Sequence, residues 1–598
     1  MSEHFPNQSY QTWIQQFAKE LKTDEPEKKR QTTYQDISVK AYYAYQTGLA
    51  TYPETNRIPF LPEFSFANNW DTQISIPTDD MAKANRLAIS ALEQGASSIR
   101  FTGNHISTQE ELILLLKDIQ LDVVSIQFDA DEANQAIFFM WHNELEKRKL
   151  KPSKNKALFC IDPYIDSLFN PLNTSNLEEY DGIIEALTSI NKQHENGTPF
   201  LGISAYQMVA AGAYLSFELA AALSATTEYW HRSKNAEKLI PATFWQLSTS
   251  SHYLPEIAKF RAARLLWNTL TKHFNFSSPL HLQALVLAEN YTLYEPHSNL
   301  LRASVAGLAA SIGGADLINI PPHTALTDLY DKEATRRAVH IQQLMRFESH
   351  LDKAQDAMKG SSYIEHFTSE LASKAWNEFQ AMEKLGGWLA CVKSGYVKEK
   401  VTKQRKNQES NLNSGKEKLI GIHHSIDLSQ QAAPELRSRL PTYNIPPHFQ
   451  LGKWRKTEQI EYLRTTVIQH NIPAIPLLLF DDDKMAQARF TFCESFLAAG
   501  GLQVEKIKTE QGELSPNQLE KLKLSPVSLL CASNHDYEVC VSKIKHQNSA
   551  NSTILVAGLP ENNQVLKSMG AHDFIYQGCN QIEKLKAILA YFPISISL

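Results

Sequence analysis

Gln73-Ile-Ser-Ile-Pro-Thr-Asp-Asp-Met81-Ala-Lys-Ala-Asn-Arg-Leu-Ala-Ile-Ser-Ala-Leu-Glu-Gln-Gly95-Ala-Ser-Ser-Ile-Arg-Phe-Thr102 holds the pattern from which the chain is read. Ile74 and Ile76 alternate with polar neighbours, so Gln73 to Ile76 is strand-like. Between Met81 and Gln94, Ala84, Leu87, Ala88, Ala91 and Leu92 recur at three- and four-residue spacing and make one apolar helix face. Gly95 stands just past that helix, where a left-handed residue closes the last turn. Ser98 to Thr102 is the next strand. This is one βα unit running into its successor.

The same unit repeats downstream. Thr108 to Asp118 reads as a helix, and Val123 to Phe128, Leu158 to Ile161, Phe200 to Ser204 and Leu282 to Leu287 as strands. Repeated βα units build either a barrel or an open doubly wound sheet. A (β/α)8 barrel takes about 250 residues, which suits residues 70–392. Residues 1–69 form an N-terminal arm, with a helix at Tyr10 to Leu21 whose Trp13, Ile14, Phe17 and Leu21 share one face. A charged stretch, Lys22 to Arg30, and an alternating run at Ile37, Val39 and Ala41 follow it. Residues 393–469 form a linker. Lys398 to Lys418 is nearly devoid of apolar residues, a surface helix or a connector, and Pro441, Pro446 and Pro447 mark extended chain. Residues 470–598 return to alternation, with strands at Ile475–Phe480, Ser528–Ala532, Thr553–Ala557 and Phe574–Tyr576. Helices at Met485–Ala499 and Gln581–Tyr591 accompany them, and this second α/β domain is expected to be flavodoxin-like and doubly wound.

Composition narrows function. The 598 residues carry a formal net charge of −6, which argues against general nucleic-acid binding. No apolar run is long enough to span a membrane, and Met1 to Tyr10 lacks the features of a secretory signal. Six scattered cysteines without a Cys-x-x-Cys pair read as reduced thiols in a cytoplasmic protein. There is no phosphate-binding Gly-x-x-x-x-Gly-Lys-Ser/Thr loop, no Gly-x-Gly-x-x-Gly and no His-Glu-x-x-His. Gly202-Ile-Ser204-Ala-Tyr206 falls one Gly short of a nucleophile elbow, and His423-His424 lacks the company of a metal site.

Three stretches carry a family likeness. They are Gly202-Ile-Ser-Ala-Tyr206-Gln207-Met208-Val-Ala-Ala211-Gly212-Ala213 with Glu218; Lys259-Phe-Arg261-Ala-Ala-Arg264-Leu-Leu-Trp267; and Glu348-Ser-His350 through Tyr363, Glu365 and Trp376 to Gly386-Gly387. Gly313-Gly314-Ala315 adds to them. In order and spacing they resemble the methylmalonyl-CoA mutase family. Read for themselves, Lys259, Arg261 and Arg264 decorate a barrel helix whose other face is core, Tyr363 and Trp376 pack, and Gly313-Gly314 closes a helix.

The resemblance implies chemistry that these residues do not match. Active members hold cobalamin with Asp-x-His-x-x-Gly after the first strand of the flavodoxin-like domain, the His ligating cobalt and the Asp fixing its tautomer. Here Asp481-Asp482-Asp483-Lys484-Met485-Ala486-Gln487 stands in that place, and the motif occurs nowhere in the chain. His535 and His572 are near that edge but follow the wrong strands. A catalytic His follows the Tyr of the barrel segment in active members; here Tyr206 is followed by Gln207, which can donate a hydrogen bond but is no imidazole acid. The run Phe64 to Ile76 does not match the family's substrate-contacting segment, and Asp162 and Asp166 stand where a substrate carboxylate would want a cation. No catalytic, cofactor-binding or metal residue is therefore assigned, and Tyr206 and Gln207 mark a pseudo-active site. The likeness implies the degenerate small (β) chain of an αβ heterodimer. Its partner, a large (α) chain, would bind acyl-CoA and adenosylcobalamin and interconvert (R)-methylmalonyl-CoA and succinyl-CoA. The alternatives are a regulatory acyl-CoA-binding module, and a self-standing acyl-CoA mutase with an altered cofactor site.

Overall fold

The computed structural model describes residues 10–30, 32–43, 69–103, 106–129, 136–150, 157–169, 177–191, 198–328, 331–429, 451–480, 484–509, 513–523, 525–547 and 553–594. Eight parallel strands run in chain order round the first unit: β1 (Asp71–Pro77), β2 (Ser98–Thr102), β3 (Ser125–Asp129), β4 (Leu158–Cys160), β5 (Leu201–Ile203), β6 (Thr243–Thr249), β7 (Leu282–Val286) and β8 (Leu317–Asn319). β8 pairs with β1, and the backbone N–H groups of Phe159 in β4 and Ile161 just after it donate to the carbonyls of Pro199 and Phe200 before β5. Sequential pairing of this kind makes the expected (β/α)8 barrel.

Local sequence explains the units. Asp80 caps helix Met81–Glu93 by accepting from Lys83 N, and Gly95 beyond it adopts φ +103°. Thr108 and Glu111 form a reciprocal capping box on helix Gln109–Leu115. At Gly313-Gly314 only the second glycine is left-handed, with φ +82°. Outward residues such as Ile74, Ile99, Phe101, Ile126, Phe128 and Trp245 join the helices in one large core. Tyr363 and Trp376 pack against that core, as expected.

Helix Ser362–Lys384 crosses the barrel helices Leu215–Arg232 and Tyr253–His273 and adds a further layer there. A hairpin, Thr32–Tyr34 with Ile37–Val39, docks onto this layer: Gln35 accepts from Leu215 N, Lys374 donates to Asp36 O, and Ile37 is buried. The helix Tyr10–Leu21 that precedes it buries none of its residues; Trp13 stacks on Phe17 with ring centroids 4.8 Å apart. Helix Tyr396–Asn413 buries Val397, Val401, Gln408 and Leu412 despite its charged composition.

The second domain has five parallel strands, β9 (Ile475–Leu479), β10 (Val504–Lys508), β11 (Val527–Cys531), β12 (Thr553–Ala557) and β13 (Ala571–Ile575). Their order, β10-β9-β11-β12-β13, is the flavodoxin-like one, with the topological switch between β9 and β11. Among the described residues no helix is long and apolar enough to cross a membrane.

Candidate functional site

Successive side chains of a strand alternate between the barrel axis and the helices. The inward residues here fill the axis. Leu158, Cys160, Phe244 and Leu317 make a buried apolar cluster. Gly202 leaves room for Phe244: a Cβ there would lie 2.5 Å from the ring. A polar layer joins it, built from Gln73, Gln127, Gln246 and Gln283, all fully buried. Gln73 donates to Ser98 Oγ and to Gln127 Oε1, both at 3.0 Å. Gln283 donates to Gln127 Oε1 at 2.7 Å and to Gln73, and Gln246 donates to Gln283 Oε1 at 2.7 Å. The Cys160 thiol and the Ser204 hydroxyl both donate to Gln246 Oε1. Four strands are thus cross-linked through their amides.

Toward the carboxyl ends of the strands, Gln127 donates to Asp129, which forms a 2.6 Å ion pair with Arg100. The Arg100 guanidinium lies 5.7 Å from the Tyr206 ring centroid, with Nη2 3.5 Å from the Tyr206 hydroxyl. Helix Tyr206–Ala210, directly after β5, places Tyr206 and Gln207 here. Gln207 donates its amide to Asp166 at 2.5 Å, so that donor is engaged within the chain. Burial pushes the Tyr206 hydroxyl up, opposed by Arg100. The two residues picked from sequence are therefore at the barrel mouth, and Asp166 is with them.

Asp162 is not. It was expected to face a ligand, but it is fully buried and turned into the protein. It accepts from Ser204 N at 2.7 Å, the Tyr229 hydroxyl at 2.9 Å and Ile165 N, capping helix Pro163–Asp166. Burial raises its carboxyl to about 6 despite those bonds.

Lys259, Arg261 and Arg264 also depart from expectation: Arg261 faces helix Ser362–Lys384, while Lys259 and Arg264 turn into strand ends and loops of the barrel. All three are buried. Lys259 pairs with Glu256 at 2.7 Å and Glu218 at 3.0 Å, and donates to Ser248 O at the end of β6. Arg261 bridges Glu365 and Asp356, and Arg264 holds Asp316 and the carbonyls of Leu280 and Gly314. Sequence alone missed the glutamine layer, Arg100 and Asp129. Their signal was a polar side chain between apolar ones in several strands, as in Ile126-Gln127-Phe128 and Trp245-Gln246-Leu247.

The carboxyl edge of the second sheet is the other place where a ligand would sit. Arg489 reaches across it from helix Lys484–Ala499, donating to Ala532 O at 2.5 Å and to Asn534 Oδ1. Its guanidinium lies 5.2 Å from the Tyr537 ring centroid and against Gly558. Tyr537 is buried, and its hydroxyl donates to Ala557 O. These side chains occupy the crevice beyond β11 and β12. His535 is exposed, and His572 accepts from Ile554 N at 3.2 Å. His423 accepts from Leu419 N. Among the described residues no three His, Cys, Asp or Glu side chains could hold a metal together. Asp481–Asp483 and residues 64–68 lie outside the described residues.

Comparison with known proteins adds to this geometry. The methylmalonyl-CoA mutase family model matches residues 83–444. The methylmalonyl-CoA mutase small subunit of Porphyromonas gingivalis is 24% identical over 617 aligned residues, covering 99% of this chain and 98% of that one. That of Streptomyces virginiae is 23% identical, covering 98% and 97%. The large subunit of Propionibacterium freudenreichii subsp. shermanii is 25% identical over 341 residues, covering 55% of this chain and 46% of that one.

Proposed function

The chain belongs to the methylmalonyl-CoA mutase family, and from that premise we propose that it is the non-catalytic small (β) subunit of a cytoplasmic heterodimer. In this reading a separate large (α) chain binds acyl-CoA and adenosylcobalamin and interconverts (R)-methylmalonyl-CoA and succinyl-CoA. The observation that carries it is the filled barrel axis. Gln73, Gln127, Gln246 and Gln283 spend their amides on one another above an apolar plug. A regulatory acyl-CoA module, or a self-standing mutase, would need room and free donors at that place. Gln207 bound to Asp166 and Arg489 across the second sheet's edge support the same reading. So does the small-subunit name of relatives that align from end to end.

Helix Tyr10–Leu21 supports a partner. Its Tyr10, Trp13 and Phe17 rings gather with Tyr42 but none is buried, while the adjoining hairpin is fixed to the barrel. An apolar helix face that stays half-exposed among the described residues suits a protein surface. Co-expression with the large mutase chain of the same source tests the reading. A one-to-one complex that survives gel filtration is expected. Failure of a tagged chain to retain the large chain would overturn it.

A further inference from the structure

Helix Glu458–Gln469 belongs to the second domain's core through Ile460, Leu463 and Val467. Its polar side chains nevertheless reach the barrel loop that follows β7. Buried Glu461 accepts from Leu293 N at 2.7 Å and pairs with Arg455 through its other oxygen. The Thr465 hydroxyl meets the Tyr294 hydroxyl at 2.9 Å, and the buried Arg464 guanidinium lies 4.0 Å from the Tyr294 ring centroid. Arg464 also donates to Asp427 O, while Asp427 N donates to Glu295 in the same loop.

The barrel side of this contact is itself held rigidly. Fully buried Asn299 accepts from Thr292 N and Arg302 Nη1 and donates to Thr292 O and His323 O. Tyr291 donates to Pro321 O across to the loop after β8, and Arg302 donates to Ile420 O at 2.7 Å. Buried hydrogen bonds and a stacked cation at a domain junction resist opening, because parting leaves each group unpaired.

We infer that this loop–helix clamp locks the barrel and the flavodoxin-like domain into one body, so that the chain acts as a strut without a working hinge. The claim concerns the chain alone and does not depend on its being a subunit. Calorimetry and hydrogen exchange on the full-length chain test it. The wild-type chain should unfold in one cooperative transition, with the Leu293 amide and the amides of residues 461–464 protected like those of the strands. Tyr294→Ala should separate the transition into two. It should also speed exchange at those amides at least tenfold, leaving the strands β1–β6 unchanged. If Tyr294→Ala does not fold, an Arg464→Lys/Thr465→Val double variant reads the same way while keeping charge and volume. Two well-separated transitions in the wild type, or a clamp variant with one transition and unaltered exchange, would overturn the lock.

Discussion

Gln283 is the node of the barrel axis, since it donates to Gln73 and Gln127 and accepts from Gln246. Removing it leaves the Gln246 amide without its acceptor, takes one of two donors from each of Gln73 and Gln127, and opens a cavity in the axis; an unsatisfied buried group alone costs about 1–3 kcal/mol. Gln283→Ala is therefore expected to destabilise the chain by about 3 kcal/mol in urea unfolding, and a loss below about 1 kcal/mol would contradict the network. Lys259→Met should cost about 3–5 kcal/mol, because it strands Glu218 and Glu256 without their cation. Asp162 makes a pH prediction. Its carboxyl is raised to about 6 in the fold, against about 3.9 in an unfolded chain. Its contribution is complete below pH ~3.9 and is lost as pH rises through about 6. The stability difference between the wild-type chain and Asp162→Asn should therefore shift against the wild type between pH 4 and 6, and a flat difference would refute it. None of these roles was legible in advance. Charged residues at helical spacing look solvated until their partners far along the chain are known, such as Glu365 for Arg261 and Asp316 for Arg264. A lone Gln in a strand looks like surface until the strand closes into a barrel.

Elements were easier to read than residues. Strand alternation and helix periodicity depend on neighbours in sequence, so β1, β2, β9 and their helices were predictable from Ile74, Ile99 and Leu477 outward. Short strands such as β4 and β5, three residues each, were found only as apolar runs. The shared face of Trp13, Ile14, Phe17 and Leu21 suggests burial, but periodicity cannot say against what, and among the described residues all four stay half-exposed. That makes an element-scale prediction. Trp13→Ala with Phe17→Ala should leave the unfolding midpoint within about 1 °C, as expected of side chains outside the core. It should weaken capture of the large chain at least tenfold. A large drop in stability with unchanged capture would place the helix in the chain's own fold instead.

At the scale of the molecule, a barrel and a flavodoxin-like domain follow one another in the order that strand and helix periodicity predicts. The barrel axis and the carboxyl edge of the second sheet are both taken up by the chain's own side chains, the glutamine layer in one and Arg489 with Tyr537 at the other. The order of the domains was legible because it rests on repeated local patterns. The filling of the edges was not, because it depends on which side chains meet across strands far apart in sequence, such as Gln73 and Gln283. The most direct measurement is cobalamin content, read from absorption spectra of the isolated chain and of its complex with the large chain. The account predicts one cobalamin per two-chain complex and none on this chain alone. Stoichiometric cobalamin on the isolated chain, or two per complex, would contradict it.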